Sequence, residues 1–268
     1  LATGDPNSVQ ALTIKMLSDV ALLSPELIRD VMDFTVAATT SLLLQLDGDS
    51  SGVPTTTSST SSSSDDRWML PRSSASSDVL ALLSTVPEDL LTDLMEILLF
   101  VAKTVPSALC AAQLDPVLRL CVYFLRRPWA VTSPHLRARF GQVLYYVFLP
   151  VNVMPGEERW SAERPRDGNH SSLLDALPVC QHALAPALLL LYGDVEKTGY
   201  YEKLVHRRHI MVVLKHLWTL PTHRSAFRGI AQSSEDVSAT EDGTEMVSGG
   251  HEGASFFVRF ANGLLNET

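Results

Sequence analysis

The chain has 268 residues, 46% of them apolar and 19% charged, with a formal net charge of −9. That length and apolar content support a substantial core and exclude wholesale disorder. The acidic balance argues against a nucleic-acid binder, which needs a concentrated positive surface.

The opening residues, LATGDPNSVQ, lack the basic head and apolar core of a signal sequence. The longest apolar runs, such as APALLLLY, fall well short of the ~20 residues a bilayer-spanning helix needs, so neither a secretory nor a membrane segment is expected. Within residues 1–47, Ser24-Pro25-Glu26 places a capping hydroxyl, a first-turn proline and an early acid ahead of LIRDVMDFTVAATTSLLLQL. This predicts the N-terminal helices of a core. Residues 48–78 are mostly Ser and Thr and cannot bury enough apolar area to offset chain entropy. They are expected to be a disordered insertion, with Trp68-Met69-Leu70 its one stretch suited to dock on a surface.

From residue 79 to 268 helix signals recur. Pro87-Glu88-Asp89 opens LLTDLMEILLFVAKTV, Asp115-Pro116 precedes VLRLCVYFLRR, and Ser133-Pro134 precedes HLRARFGQVLYYVFL. Apolar residues return at spacings of three and four, as in Leu90, Leu91, Leu94, Ile97, Leu98 and Val101, which a helix with one buried face requires. No convincing alternating strand and no Asn-Gly hairpin occurs. Short helices joined by proline-marked turns predict an all-α, armadillo-like or HEAT-like solenoid with degenerate repeats. Residues 233–253 carry Glu235, Asp236, Glu241, Asp242, Glu245 and Glu252 without a Lys or Arg, and are expected to form an acidic, mobile loop. Cys110, Cys121 and Cys180 lie among apolar residues with no C-x-x-C pair, so all three read as buried, reduced thiols. The sequons at Asn169 and Asn266 then read as chance matches.

One stretch invites a functional reading. Residues 200–218, YYEKLVHRRHIMVVLKHLW, set three histidines among cationic and apolar residues. On a helix Leu204, Met211, Leu214 and Trp218 share a face flanked by Val205 and Val212, while Ile210, Val213 and Leu217 cover the far side. His209 and His216 stand roughly 10 Å apart along such a helix, too far for one metal ion. His206 and His209 could approach, but two imidazoles do not complete a zinc site and no H-E-x-x-H or Cys pair supplies the rest. No G-x-S-x-G, G-x-x-x-x-G-K-[ST] or G-x-G-x-x-G occurs. No catalytic, cofactor-binding or metal residue is therefore assigned. Arg207, Arg208 and Lys215 are expected to pair with acids such as Asp194, Glu196 and Glu202, or to meet a partner. Arg126, Arg127, Arg137 and Arg139 are the other basic residues of interest for a contact surface.

The segment LYGDVEKTGYYEKLVHRRHIMVVLKHLW closely resembles part of the ubiquitin-chain elongation factors, the "E-four" ubiquitin conjugation factors, whose C-terminal U-box makes them ubiquitin ligases. The resemblance rests on Tyr192, Asp194-Val195-Glu196, Thr198-Gly199, Tyr201-Glu202-Lys203, Arg207, His209-Ile210, Leu214-Lys215 and Leu217-Trp218. FFVRFANGLLNET (256–268), LRRPWAVTSPHLRARFGQVLYYVFLP (125–150) and VPEDLLTDLMEILLFVAK (86–103) extend it, and residues 24–46 fit more loosely. The Ser/Thr tract and the acidic loop lie outside it.

The resemblance implies the core of a long helical rod, whose U-box holds a ubiquitin-loaded conjugating enzyme and promotes transfer without a covalent intermediate. It implies work in the cytoplasm and nucleus with an AAA-type segregase ATPase and ubiquitin-receptor shuttle proteins, on ubiquitinated substrates bound for the proteasome. The chain contains no U-box, so it is expected to be an excised part of the core and inactive alone, with Asp194, Glu196, Gly199 and Arg207 fixing helix packing. A helical-repeat adaptor unrelated to ubiquitin is the alternative that architecture permits. A hydrolase lacks a nucleophile motif.

Overall fold

The computed structural model describes residues 6–46, 72, 75–150, 169–238 and 260–261. Among these the regular structure is entirely helical, in ten α-helices and three short helical turns. The first four are α1 (Pro6–Leu22), α2 (Pro25–Leu46), α3 (Ser77–Thr85) and α4 (Glu88–Thr104). A 3-10 turn, Pro106–Ala108, leads to α5 (Ala111–Leu125) and α6 (Pro134–Val143), which a π-helical turn, Leu144–Phe148, prolongs. Then come α7 (Asn169–Ala176), α8 (Pro178–Asp194), a 3-10 turn at Val195–Lys197, α9 (Tyr200–Thr219) and α10 (Pro221–Ser238).

The proline-marked starts work locally. Ser133 accepts the N–H of Leu136 with Pro134 in the first turn of α6, and Ser24 accepts that of Leu27 at the head of α2. Such caps satisfy N–H groups that have no partner inside the helix. Asp115-Pro116 does not open α5, however. The helix begins a full turn earlier, after Cys110, and Pro116 lies inside it. The added turn buries Leu114 completely. The residue four before Pro116, whose carbonyl loses its partner, is the exposed Ala112, so the missing N–H costs little there.

The helices stack in two rows. One runs α2, α5, α8, α10 and the other α4, α6, α9, with α2 against α4, α5 against α6 and α8 against α9 across the rows. This stacking of helix pairs is compatible with the expected solenoid. The rows meet over a continuous apolar core in which Leu94, Met95, Leu98, Leu114, Phe124, Phe140, Tyr145 and Leu184 are shut off from solvent. Phe124 and Phe140 stack across α5 and α6 with centroids 5.5 Å apart. Helix α8 is buried from Ala183 to Tyr192 on every side. No single helix among the described residues is long and apolar enough to cross a membrane.

Three expectations need correction. Cys121 and Cys180 are buried, and burial pushes both thiols up, Cys180 to about 12, so neither is a thiolate near neutrality. Cys110 is exposed, because it sits outside α5 as its cap in extended backbone. The Ser/Thr tract ends earlier than 78, since Ser76 caps α3 by accepting the N–H of Val79. The acidic loop begins later than 233, because α10 carries on to Ser238. Residues 48–71 and 239–253 lie outside the described residues.

Gly141 sets how closely the rows approach. A Cβ there would meet Leu191 Cδ2 at 3.2 Å and Ile210 Cγ1 at 3.5 Å, so α6 lies tight against both α8 and α9. Gly141→Val is expected to cost about 1–3 kcal/mol by overpacking, and Gly141→Ala less, read as the shift of the urea midpoint.

Candidate functional site

The segment singled out in the sequence forms a corner. Helix α8 ends at Asp194, the 3-10 turn reverses the chain, and Gly199 leads into α9. Thr198 donates its hydroxyl to the Val195 carbonyl at 2.7 Å, and Val195 is fully buried, which pins the turn to the core.

Two arginines tie this corner to its surroundings. Arg207, almost wholly buried, donates through Nη2 to Glu196 and through Nε to the Tyr192 carbonyl at 3.4 Å. Its guanidinium lies over the Tyr192 ring, 4.6 Å from the centroid. Lys203 donates to the other Glu196 oxygen at 2.9 Å, and these two cations hold the Glu196 carboxyl below its usual range. Arg137, reaching over from α6, pairs with Asp194. Its Nε and Nη2 are buried without an acceptor, so this ion pair is incompletely compensated.

The expected pairing of Arg207, Arg208 and Lys215 with Asp194, Glu196 and Glu202 is met only by Arg207 with Glu196. Asp194 belongs to Arg137, Glu202 faces His135 at 3.1 Å, and Arg208 and Lys215 are exposed. Arg137 and Arg207 are buried and offer no contact surface. Arg127 lies over the Tyr123 ring at 3.7 Å, and Arg139 reaches Glu96 at 2.8 Å. Gly199 adopts φ −59° and ψ 153°, and a Cβ there would meet only ordinary contacts. Asp194, Glu196 and Arg207 thus fix helix packing, whereas the backbone makes no demand for glycine at 199.

Ile210, Val213, Leu214 and Leu217 face the core together with His206, Arg207 and His209, while Leu204, Val205 and Trp218 are about half exposed. Hydrophobic spacing gave no sign that His206, Arg207 and His209 turn inward, where α6, the π-helical turn and the end of α8 supply partners. The π-helical turn puts Tyr145 and Tyr146 against the His209 ring, at centroid distances of 4.4 and 5.2 Å. Gln142 donates from Nε2 toward His206 Nδ1 at 3.3 Å. Burial lowers the affinity of both imidazoles for a proton, with His209 brought to about 4. Among the described residues no group of three His, Cys, Asp or Glu side chains is placed to hold a metal ion.

Two concavities adjoin α9. One of about 290 Å³ lies between α6 and α9, lined by His135, Arg139, Gln142, Tyr201, Glu202, Val205 and His206. The other, about 460 Å³ and almost wholly apolar, is bounded by Leu189, Met211, Val212, Leu214, Trp218, Phe227 and Phe260. Neither holds an activated nucleophile, and neither has the glycine-rich helix start that cradles phosphates. The corner and its clefts can bind and brace.

The family model described as Ubiquitin elongating factor core matches residues 6–268. The chain is 32% identical over 160 residues to the Probable ubiquitin conjugation factor E4 of Arabidopsis thaliana, covering 57% of this chain and 14% of that protein. It is 27% identical over 145 residues to the Ubiquitin conjugation factor E4 of Schizosaccharomyces pombe, covering 52% and 13%. With the Ubiquitin conjugation factor E4 A of Bos taurus it shares 24% identity over 263 residues, 96% of this chain and 22% of that one. The chain therefore spans less than a quarter of each of these relatives.

Three outcomes are expected. The folded-state His209 takes its proton near pH 4 and the unfolded one near 6.5. The unfolded chain binds that proton first, so the contribution is intact above about pH 6.5 and is lost as the pH falls toward 4. Between pH 7.5 and 5, urea denaturation should lose about 2 kcal/mol more for the native chain than for His209→Phe. Asp194→Ala, which strands a buried guanidinium, should cost about 3 kcal/mol, and Arg137→Met markedly less in the same assay. A chelator should leave the melting temperature unchanged. A drop restored by zinc would show that the histidines hold a metal after all.

Proposed function

The chain belongs to the ubiquitin elongating factor core family, and from that premise we propose that it is the scaffold core of a U-box-type ubiquitin ligase that extends ubiquitin chains on substrates bound for proteasomal degradation. The match over residues 6–268 carries the reading, and the names of the relatives support it. The all-helical stack and the structural use of its charged corner fit a bracing role. The transfer step is assigned to a U-box elsewhere in the polypeptide, which binds the charged conjugating enzyme and acts without a covalent intermediate of its own. The other partners in this proposal are an AAA-type segregase ATPase, ubiquitin-receptor shuttle proteins and ubiquitinated substrates, met in the cytoplasm and nucleus.

Reconstitution with activating enzyme, conjugating enzyme and ubiquitin tests it. Full-length protein should give chain extension, residues 1–268 only background, and residues 1–268 joined to the U-box region should recover activity. Acceleration of ubiquitin discharge by residues 1–268 alone would overturn the scaffold assignment.

A further inference from the structure

The apolar groove where α8, α9 and α10 meet takes no part in bracing the corner. Leu189 of α8 and Leu214 of α9 are buried in its floor, and Met211, Val212, Trp218 and Phe227 form its sides. Trp218 and Phe227 meet edge to face from α9 and α10, with centroids 5.5 Å apart. Trp218 nevertheless stays 49% exposed. Phe260 also borders the groove and lies against the Tyr192 ring, 5.0 Å between centroids.

The charge around this groove has one sign. Lys215 is the only charged residue of the lining and is exposed on α9 between Met211 and Trp218. Arg208, also exposed, lies two turns earlier on the same face. On α10, Arg224 and Arg228 stand one turn apart beside Phe227. Arg224 donates from Nε to the Trp218 carbonyl at 3.0 Å and lies 5.8 Å from the centroid of that ring. A carbonyl partner leaves its charge uncancelled. Among the described residues none of these four cations is ion-paired. The sequence gives the reason: no Asp or Glu occurs from Lys203 to Ser234, and α8 has none before Asp194. Glu196 is taken by Lys203 and Arg207. Asp175, which α10 does meet, is bonded to Thr222 on the opposite side of that helix.

We propose that this groove docks an amphipathic helix of a partner polypeptide, its apolar face in the groove and Asp or Glu on its flanks. Met211 and Trp218 stand roughly 10 Å apart along α9, the two turns over which a docked helix presents its i, i+3/i+4 and i+7 anchors. A volume of about 460 Å³ lies within the range of preformed pockets. The exposed Trp and Arg side chains beside it are those that dominate binding hot spots. Burial of apolar side chains supplies the affinity, and the basic rim orients an acidic partner and hastens its arrival. A recessed floor takes a ridge of side chains rather than the flat face of a bilayer. The site stands on the α8–α9–α10 geometry alone, so its failure would leave the ubiquitin reading untouched.

The test is fluorescence anisotropy of residues 1–268 with labelled helical peptides that share a Leu/Phe face and carry Glu, Gln or Lys on the flanks. A further peptide keeps the Glu flanks but has a Ser face. The Glu peptide with the apolar face should bind at least about tenfold more tightly than each of the others, and added salt should weaken it. Lys215→Glu, at an exposed position, should reverse the preference so that the Lys peptide binds best. Val212→Asp should lower binding of every peptide, with circular dichroism confirming that both variants are folded. Equal binding of the Glu and Gln peptides, no binding by any peptide, or a preference unmoved by Lys215→Glu would each overturn the proposal. So would stronger binding to phosphatidylserine vesicles than to the Glu peptide, or self-association of the chain that Val212→Asp abolishes, which would assign the groove to a lipid surface or to a second copy.

Discussion

Helix α8 must be buried on all sides, and the rest of the molecule is arranged to bury it. Ten consecutive residues, Ala183–Tyr192, are shut from solvent, and an apolar surface that wraps a whole helix cannot be covered by one neighbour. Helices α5, α6, α7, α9 and α10 all pack on it. At roughly 25 cal/mol for each Å² of apolar surface removed from water, that covering is a dominant stabilising contribution. It also makes α8 one of the places where the two rows of helices are held together.

Such a helix has to end, and its end concentrates the charge. At the C-terminus of α8 the backbone carbonyls run out of partners and the chain must turn before α9 can pack back. Asp194 and Glu196 lie on that turn, Arg137 and Arg207 reach it from two other helices, and Arg207 also caps the Tyr192 carbonyl. Ionic residues here secure an angle between helices. On the outward side of α9, Tyr201, Leu204 and Val205 stay exposed beside the cleft.

Helix starts at Pro25, Glu88 and Pro134 were legible because caps and first-turn prolines act within a few residues. The buried stripe of α4 was legible from its spacing, with Leu91, Leu94, Leu98 and Val101 inside and Ile97 partly buried, although Leu90 is exposed. The start of α5 was misread because Asp115-Pro116 resembles a cap, while the burial of Leu114 decides for an earlier turn. The candidate site was half legible: the corner segment stood out, but its ion pairs did not. Arg137 and Asp194 are 57 residues apart in sequence, and Gln142 and His206 are 64 apart. No local pattern encodes such meetings.

By itself the sequence determined the helical class, the positions of most helix starts and the resemblance to a family of ubiquitin elongating factors. Those depend on local capping, on periodicity and on matched residues. Only the tertiary structure decided which face of α9 turns inward, which arginine meets which acid, that Cys110 is exposed, and that a cleft opens between α6 and α9. Each of these depends on what a neighbouring helix offers. A polar side chain such as His206 or Arg207 is costly to bury unless a partner waits for it, and the partners are assembled only by the fold.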